Sequence, residues 1–399
     1  MKYRFGTCTL CPDSHTLEVD GTIVHVEPQV FDILLLLVTH ADRLVSHDQL
    51  MSDIWNGRIV SDATVSARIS AARAVIGDDG QRQEWIRTVP RRGFRFVGVV
   101  EQIDQEPSTS AAQSVDERQR IGMCRSRDGL RIAYARSGSG PPMVRAGHWL
   151  THLEHDWNSP IWRPILDEMG RSFTLWRYDQ RGNGLSAHDV DDLSLDAAVE
   201  DLAAVVTAAG LDRFVLYGIS QGSPVAIRYA VQNPEKVSHL ILHGGYERGR
   251  CLRDTPGEAA MSEAMVTMIR EGWGRSGSAF LRMFAAMYIP GGSTEQIASL
   301  AELQRLCTPV ENAWRLRQAS DGFSVRGELQ EVSAPTLVIH ARDDAVHPLS
   351  EGLALAEGIP GAQFLMLESG NHVILPQEPA WDVLFSELRH FARIHSAHT

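Results

Sequence analysis

Hydrophobic positions recur along the chain with two different periods, and the places where the period changes mark its elements. Three short β-like runs, YRFGTCTL, HTLEVDG and TIVHV, precede Glu27-Pro28. Beyond that pair, VFDILLLLVTHA repeats its apolar residues at helical spacing. Ser46 stands at an N-cap position before a second helix in SHDQLMSDIW, and Ser61 does so for a third, DATVSARISAARAVIG, which stops at Gly77. In that third helix Val65, Ile69, Ala72 and Ile76 form one buried stripe, which leaves Thr64, Ser66, Arg68, Ser70 and Arg73 to the opposite face. EWIRTVPRRGFRFVGVV then reads as two β-rich runs about a PRRG turn, the signal of a hairpin. Residues 104–119, DQEPSTSAAQSVDERQ, carry almost no apolar side chain and read as a linker.

From residue 120 onward the pattern changes. Apolar β-like runs (PPMVRAG, FTLWRYD, RFVLYGIS, VSHLILHGG, PTLVIHA, AQFLMLES) alternate with helical stretches, which predicts a parallel sheet covered on both faces. GMCRSRDG and LRIAYARSG pair as a leading antiparallel hairpin. A helical insertion at about 246–332, too long for a simple crossover, separates the fourth run from the fifth and holds Trp273, Met283, Phe284, Met287 and Trp314.

Composition narrows the classes. A chain of 399 residues fits two domains, and 43% hydrophobic with 22% charged residues is a globular balance. The net charge of −12 argues against wholesale coating of nucleic acid, yet Arg82, Arg87, Arg91, Arg92 and Arg95 crowd the hairpin against the single acid Glu84, a local basic patch. FDILLLLV is too short to span a bilayer and MKYRFGTCTL lacks a signal-peptide core, so the expectation is a cytoplasmic protein without membrane contact. Five cysteines fit free thiols in a reducing compartment. Cys8 and Cys11 form a C-x-x-C, but in a strand they point to opposite faces and no second pair follows, so no metal is expected there. The histidines of GHWLTHLEHDW are read as capping and loop residues.

Arginines and small hydroxyl side chains on a helix beside an Arg-tipped hairpin suit a major groove flanked by phosphates. VEPQVFDILLLL, LVSHDQLMSDIW, VSDATVSARISAARAVIGDDG and IRTVPRRGFRF together resemble the OmpR/PhoB-type winged-helix DNA-binding domain, including Trp55 at the end of the second helix and the wing from Thr88 to Phe94. The resemblance covers residues 1–103 and implies an α+β unit with a recognition helix near 61–77 and a wing near 86–97. Its DNA-facing residues would be Thr64, Arg68, Arg73, Thr88, Arg91 and Arg92, with double-stranded DNA as partner. Ser70 and Ala71 depart from the arginines common there.

Gly218-Ile219-Ser220-Gln221-Gly222 is a G-x-S-x-G at a strand-to-helix junction, where a sharp turn lifts the Ser220 hydroxyl into the open. Serine is a poor nucleophile unless an imidazole takes its proton and a carboxylate holds that imidazole. Both partners follow in order: PTLVIHARDDAVHP ends in Asp343 and Asp344, and LESGNHVILPQEP contains His372. With YDQRGNGLS matching the D-x-R-G-x-G-x-S loop, residues 120–397 resemble the α/β-hydrolase superfamily. That resemblance implies Ser220, Asp344 and His372 as the triad, with Asp344 the better match than Asp343. It also implies an oxyanion hole from the main chain of Gln221 and His148, although Arg145-Ala146 stands where the family usually has its histidine. The insertion would be a cap whose Trp273, Met283, Phe284, Met287 and Trp314, with Trp149 of the oxyanion loop, line an apolar acyl pocket or belong to the core. No cofactor is expected.

Together these readings make the chain a DNA-binding regulator whose hydrolase domain (120–399) senses, and hydrolyses, a small apolar ester, lactone or acyl ligand, acting as a homodimer. Two other readings are a serine esterase whose winged helix only assembles it, and a ligand sensor without turnover.

Overall fold

The computed structural model describes residues 2–12, 16–24, 26–55, 60–90, 92–103, 119–274 and 278–394. The chain forms two compact units, Met1–Ala112 and Gln113–Thr399. Apart from Gln119, the expected linker lies outside the described residues, as do Arg91 and the side chain of Trp55.

In the first unit, β1 (Lys2–Phe5), β2 (Cys8–Cys11), β3 (Thr16–Val19) and β4 (Thr22–Val24) form an antiparallel sheet, which β8 (Glu101–Ile103) joins beside β1. Cys8 is buried in this sheet and Cys11 lies on its other face, as alternation along a strand requires. Three helices follow the first four strands: α1 (Pro28–Thr39), α2 (His47–Trp55), preceded by the short strand β5 (Leu44–Ser46), and α3 (Asp62–Val75). Pro28 occupies the first turn of α1, where its missing N–H is not needed, and Ser61 caps α3 by accepting from Thr64 N at 3.3 Å. The wing is the hairpin of β6 (Ile86–Val89) and β7 (Gly93–Phe96), paired on its far side with β5. Val65, Ile69, Ala72 and Ile76 are all buried, the stripe their spacing predicts. They pack with Phe5, Phe31, Leu34 and Phe96 in one core.

The second unit is built on an eight-stranded sheet in the order β16-β15-β14-β13-β11-β12-β10-β9. The antiparallel pair β9 (Arg120–Arg125) and β10 (Arg131–Ser137) is the predicted leading hairpin. The strands β11 (Pro142–Arg145), β12 (Thr174–Tyr178), β13 (Phe214–Ile219), β14 (Val237–His243), β15 (Thr336–Ala341) and β16 (Gln363–Leu367) run parallel. Every residue of β13 and β15 is buried, because helices cover both faces. Those helices are α4 (Leu153–Trp157), α5 (Trp162–Gly170), α6 (Leu195–Ala208), α7 (Gly222–Gln232), α12 (Leu349–Gly358) and α13 (Ala380–Ile394). Two apolar cores result, one on each side of the sheet. The insertion after β14 folds as four helices, α8 (Glu258–Gly272), α9 (Ala279–Tyr288), α10 (Thr294–Cys307) and α11 (Val310–Asp321). No described helix is long and apolar enough to cross a membrane.

Candidate functional site

β13 runs into α7 through a turn in which Ser220 adopts φ +53°, a left-handed conformation unusual for a side-chain-bearing residue. Its two glycines leave the space this needs. A Cβ on Gly218 would lie 2.8 Å from Gly222 O, and one on Gly222 would lie 3.0 Å from Gly147 O, so the elbow packs directly on the loop after β11. Ser220 N donates to His243 O at 2.8 Å, which ties the turn to the neighbouring strand.

The candidate acid and base follow β15 and β16. His372 Nδ1 donates to Asp344 Oδ2 at 2.6 Å, while Asp344 Oδ1 accepts the amides of Val346 and His347 at 2.8 and 3.1 Å. Burial pushes the Asp344 carboxyl up, but the charge of His372 and these hydrogen bonds outweigh it and hold the group below the ordinary aspartate value. Asp344 therefore stays ionised and holds the ring through Nδ1. His372 Nε2 is buried and has no hydrogen-bond partner. Asp343, one residue earlier, is exposed.

Ser220 and His372 both line a narrow cleft, whose other lining residues are His148, Trp149, Leu150, Trp162, Ile219, Tyr288, Leu300, Gln304 and Val373. The main-chain amides of Gln221 and His148 donate to no acceptor among the described residues. Gln180, from the loop after β12, fixes the His148 peptide: its Nε2 donates to His148 O at 2.8 Å and Trp149 O at 3.2 Å, and its Oε1 accepts from Gln221 Nε2 at 3.3 Å. One side chain thus bridges the loop after β11 and the elbow. Burial and the nearby Arg145 drive the His148 imidazole well below its usual pKa, so it is neutral. Behind the loop, Arg145 and Arg177 each lie 3.6 Å from the fully buried Asp156.

Residues of the insertion hold the loops of His372 and Asp344. His372 N donates to Tyr288 O at 2.8 Å, and Gly291 N donates to Asn371 Oδ1 at 2.8 Å. Arg250 donates to Val346 O at 2.9 Å and Arg253 lies 3.1 Å from His347 Nδ1, and both arginines also pair with Glu258 of α8.

The structure redistributes the expected pocket residues. Trp149 lines the cleft. Trp273 and Phe284 are buried behind it and pack against its ring, with Met287 partly buried beside them. Met283 is 48% exposed on the outer side of α9, and Trp314 lies under Arg270 with its Nε1 donating to Glu311, so neither reaches the cleft. Amphipathic cap helices bury one face of each, and these two residues fall on the other. Trp162, Tyr288, Leu300 and Gln304 were not singled out, since nothing in their spacing separates a cleft wall from core.

A second correction concerns α3. Arg73 is only 6% exposed and turns inward, its Nε and Nη2 donating to Ile86 O at 3.0 and 2.7 Å and its Nη2 to Thr88 Oγ1 at 2.9 Å. It is four residues beyond Ile69 and so shares the buried stripe; it bolts the helix to the wing. Arg68 pairs with Glu27, and Thr64 lies against the Ser61 cap. Thr88 and Arg92 are exposed on the wing with Arg87 and Arg95, whereas the open face of α3 carries Ser66, Ala67, Ser70 and Ala74. Asp78 was also missed. Its two oxygens accept the amides of Asp79, Glu84, Trp85 and Ile86 at 2.8–3.0 Å and so shape the turn between helix and wing.

Comparisons with known proteins agree with both halves. Residues 21–96 match the family model "Transcriptional regulatory protein, C terminal", of OmpR/PhoB type, and residues 149–280 match that of the alpha/beta hydrolase fold. A pimeloyl-[acyl-carrier protein] methyl ester esterase of Nitrosomonas europaea is 28% identical over 244 residues, 59% of this chain and 90% of that protein. Among solved structures, a hydrolase from Pseudomonas aeruginosa superposes with a TM-score of 0.58 at 20% identity, covering 71% of this chain and all of its own. An esterase from Exiguobacterium antarcticum gives 0.58 at 20% identity, covering 68% of this chain and 98% of its own. The second unit has the α/β-hydrolase fold, and the first is a winged helix.

Proposed function

We propose that this chain is a cytoplasmic, homodimeric transcriptional regulator in which a winged helix (1–103) is joined by a linker (104–119) to a serine hydrolase (120–399) that binds and hydrolyses a small, neutral ester, lactone or acyl compound. The observation that carries the reading is the His372 imidazole, held by Asp344 and open at Nε2, beside the strained Ser220 in an apolar cleft. The methyl ester named in the Nitrosomonas relative supports the substrate class.

In this mechanism Ser220 Oγ attacks the carbonyl carbon as His372 Nε2 takes its proton, and the carbonyl oxygen gains charge against the amides of Gln221 and His148. The tetrahedral intermediate collapses as His372 returns the proton to the departing alcohol. Water, deprotonated by the same nitrogen, then frees the acid and restores Ser220. A filled cleft is the input and DNA affinity the output, through the difference in ligand affinity between two states of the protein.

Two measurements test this. The parent should bind DNA from its own upstream region with a steep loss of affinity in salt, whereas an esterase that merely carries a winged helix should not. It should also turn over p-nitrophenyl esters and label at Ser220 with activated esters. A chain that binds such ligands and never forms the Ser220 adduct is a sensor without catalysis.

A further inference from the structure

Gln180 is 2% exposed, does not line the Ser220 cleft, and turns both ends of its carboxamide to other segments of the chain. The loop it stands on is fixed from both sides: Asp179 N donates to Ala133 O at 2.9 Å, and Arg181 donates to Asp201 Oδ2 through its main-chain N at 3.1 Å and its Nε at 3.0 Å. From this anchored position Nε2 donates to the carbonyls of His148 and Trp149, and Oε1 accepts from Gln221 Nε2. Among the described residues neither carbonyl accepts from any other donor, and the Gln221 amide nitrogen finds no other acceptor. The loop after β11 also lies flush on this side chain, since a Cβ on Gly147 would sit 3.0 Å from Gln180 Cβ.

Those contacts bear on chemistry because of where they act. Residues 146–150 form no helix or strand, so the direction of the peptides around His148 depends on what holds their carbonyls. Amides that stabilise an oxyanion must lie within hydrogen-bond distance of it, and a misplacement of about 1 Å costs on the order of a hundredfold in rate. We infer that Gln180 is a positioning residue for hydrolysis: by tying the His148 and Trp149 carbonyls to the Gln221 side chain, it keeps the main-chain amides of His148 and Gln221 at the spacing a tetrahedral intermediate needs. The inference rests on the serine chemistry proposed above and goes beyond it by giving a role in the reaction to a residue outside the cleft.

The test uses the full chain, with p-nitrophenyl hexanoate as substrate and 1,1,1-trifluoroheptan-2-one as inhibitor. The ketone reproduces the step in question: Ser220 Oγ bonds to its carbonyl carbon, the hydroxyl proton passes to His372 Nε2, and the carbonyl electron pair moves onto oxygen, with no group leaving. Gln180→Met keeps the length of the side chain and removes its N–H donors. It should lower kcat about 10- to 100-fold, raise Ki for the ketone by a similar factor, and leave KM within about twofold. Gln180→Glu keeps the shape and offers at most one donor, so it carries the test if Gln180→Met fails to fold. A folded variant with parental kcat and Ki overturns the inference. So does a fall in kcat without a matching rise in Ki, a loss carried wholly by KM, or failure of both variants to fold, which would make Gln180 a residue of the architecture alone. A parent that forms the ketone adduct but does not turn over the ester removes the proposed hydrolysis and leaves Ki to decide the role of Gln180, whereas a parent that does neither removes both.

Discussion

Arg73 and Asp78 in the winged helix are buried as His372, Trp149, Trp162 and Gln304 are in the hydrolase, but they are finished differently. Arg73 is closed by a carbonyl and a hydroxyl from the wing, Asp78 by four amides, and neither leaves a buried atom unpartnered. The hydrolase residues each keep one buried atom unpartnered, and all four line the same cleft. Open atoms also occur in the cluster of Arg145, Asp156 and Arg177, but there opposite charges face one another and none of the three lines the Ser220 cleft. Depth of burial therefore does not separate architecture from chemistry. What separates them is whether a residue beside a cleft keeps an unsatisfied valence.

The hardest break of this contrast is at the open end. Ser220→Ala or His372→Ala should lower kcat for a p-nitrophenyl ester by about 10⁴-fold or more with little change in Tm, because these groups act as a unit in chemistry and contribute little to packing. Asp344→Asn should cost about 10³- to 10⁴-fold, whereas the exposed Asp343→Asn should stay within about twofold. Larger damage from Asp343→Asn in a steady-state assay would reverse the assignment of the acid.

Arg73→Ala tests the closed end. It strands the Ile86 carbonyl and should destabilise the winged helix by about 2–3 kcal/mol in urea, with loss of DNA binding following only from unfolding. A folded, equally stable variant with weakened DNA binding would return Arg73 to the DNA-facing side.

Asp179 sharpens the contrast through pH. Burial raises its carboxyl to about 6 even though it accepts the amides of Leu153 and Leu185. The folded state thus holds a proton that the unfolded chain releases near pH 4, so this group's contribution to stability falls as pH rises from about 4 to about 6, by at most roughly 1.4 kcal/mol per pH unit. Asp179→Asn should remove that slope from denaturation curves taken across the interval. The smallest effect is expected on the wing: Arg92→Ala should leave stability unchanged, weaken DNA binding a few-fold, and reduce the salt slope by about one.

Much of this was legible in the chain. The elbow, the order of Ser220, Asp344 and His372 along the chain, and the alternating runs all depend on local spacing, which a sequence displays directly. Arg73 shows where such reading fails. The apolar stripe alone assigned it to the opposite face, and only the carbonyl of Ile86, thirteen residues on, decides that it turns inward. Gln304 and Trp162 were hidden for a related reason: a polar or aromatic residue on a cap or core helix looks the same whether it meets a neighbour or a cavity. Met283 erred in the other direction, an apolar side chain that the cap leaves outside.

The bond from His372 N to Tyr288 O has its own consequence. His372 hangs from the last turn of α9, and the loop that carries Asp344 is held through Arg250 and Arg253 by Glu258 of α8. A cap that swung away as one piece to admit a ligand would pull on both. Such an opening would take both residues out of alignment, so that admission of a ligand and chemistry upon it would exclude one another in time.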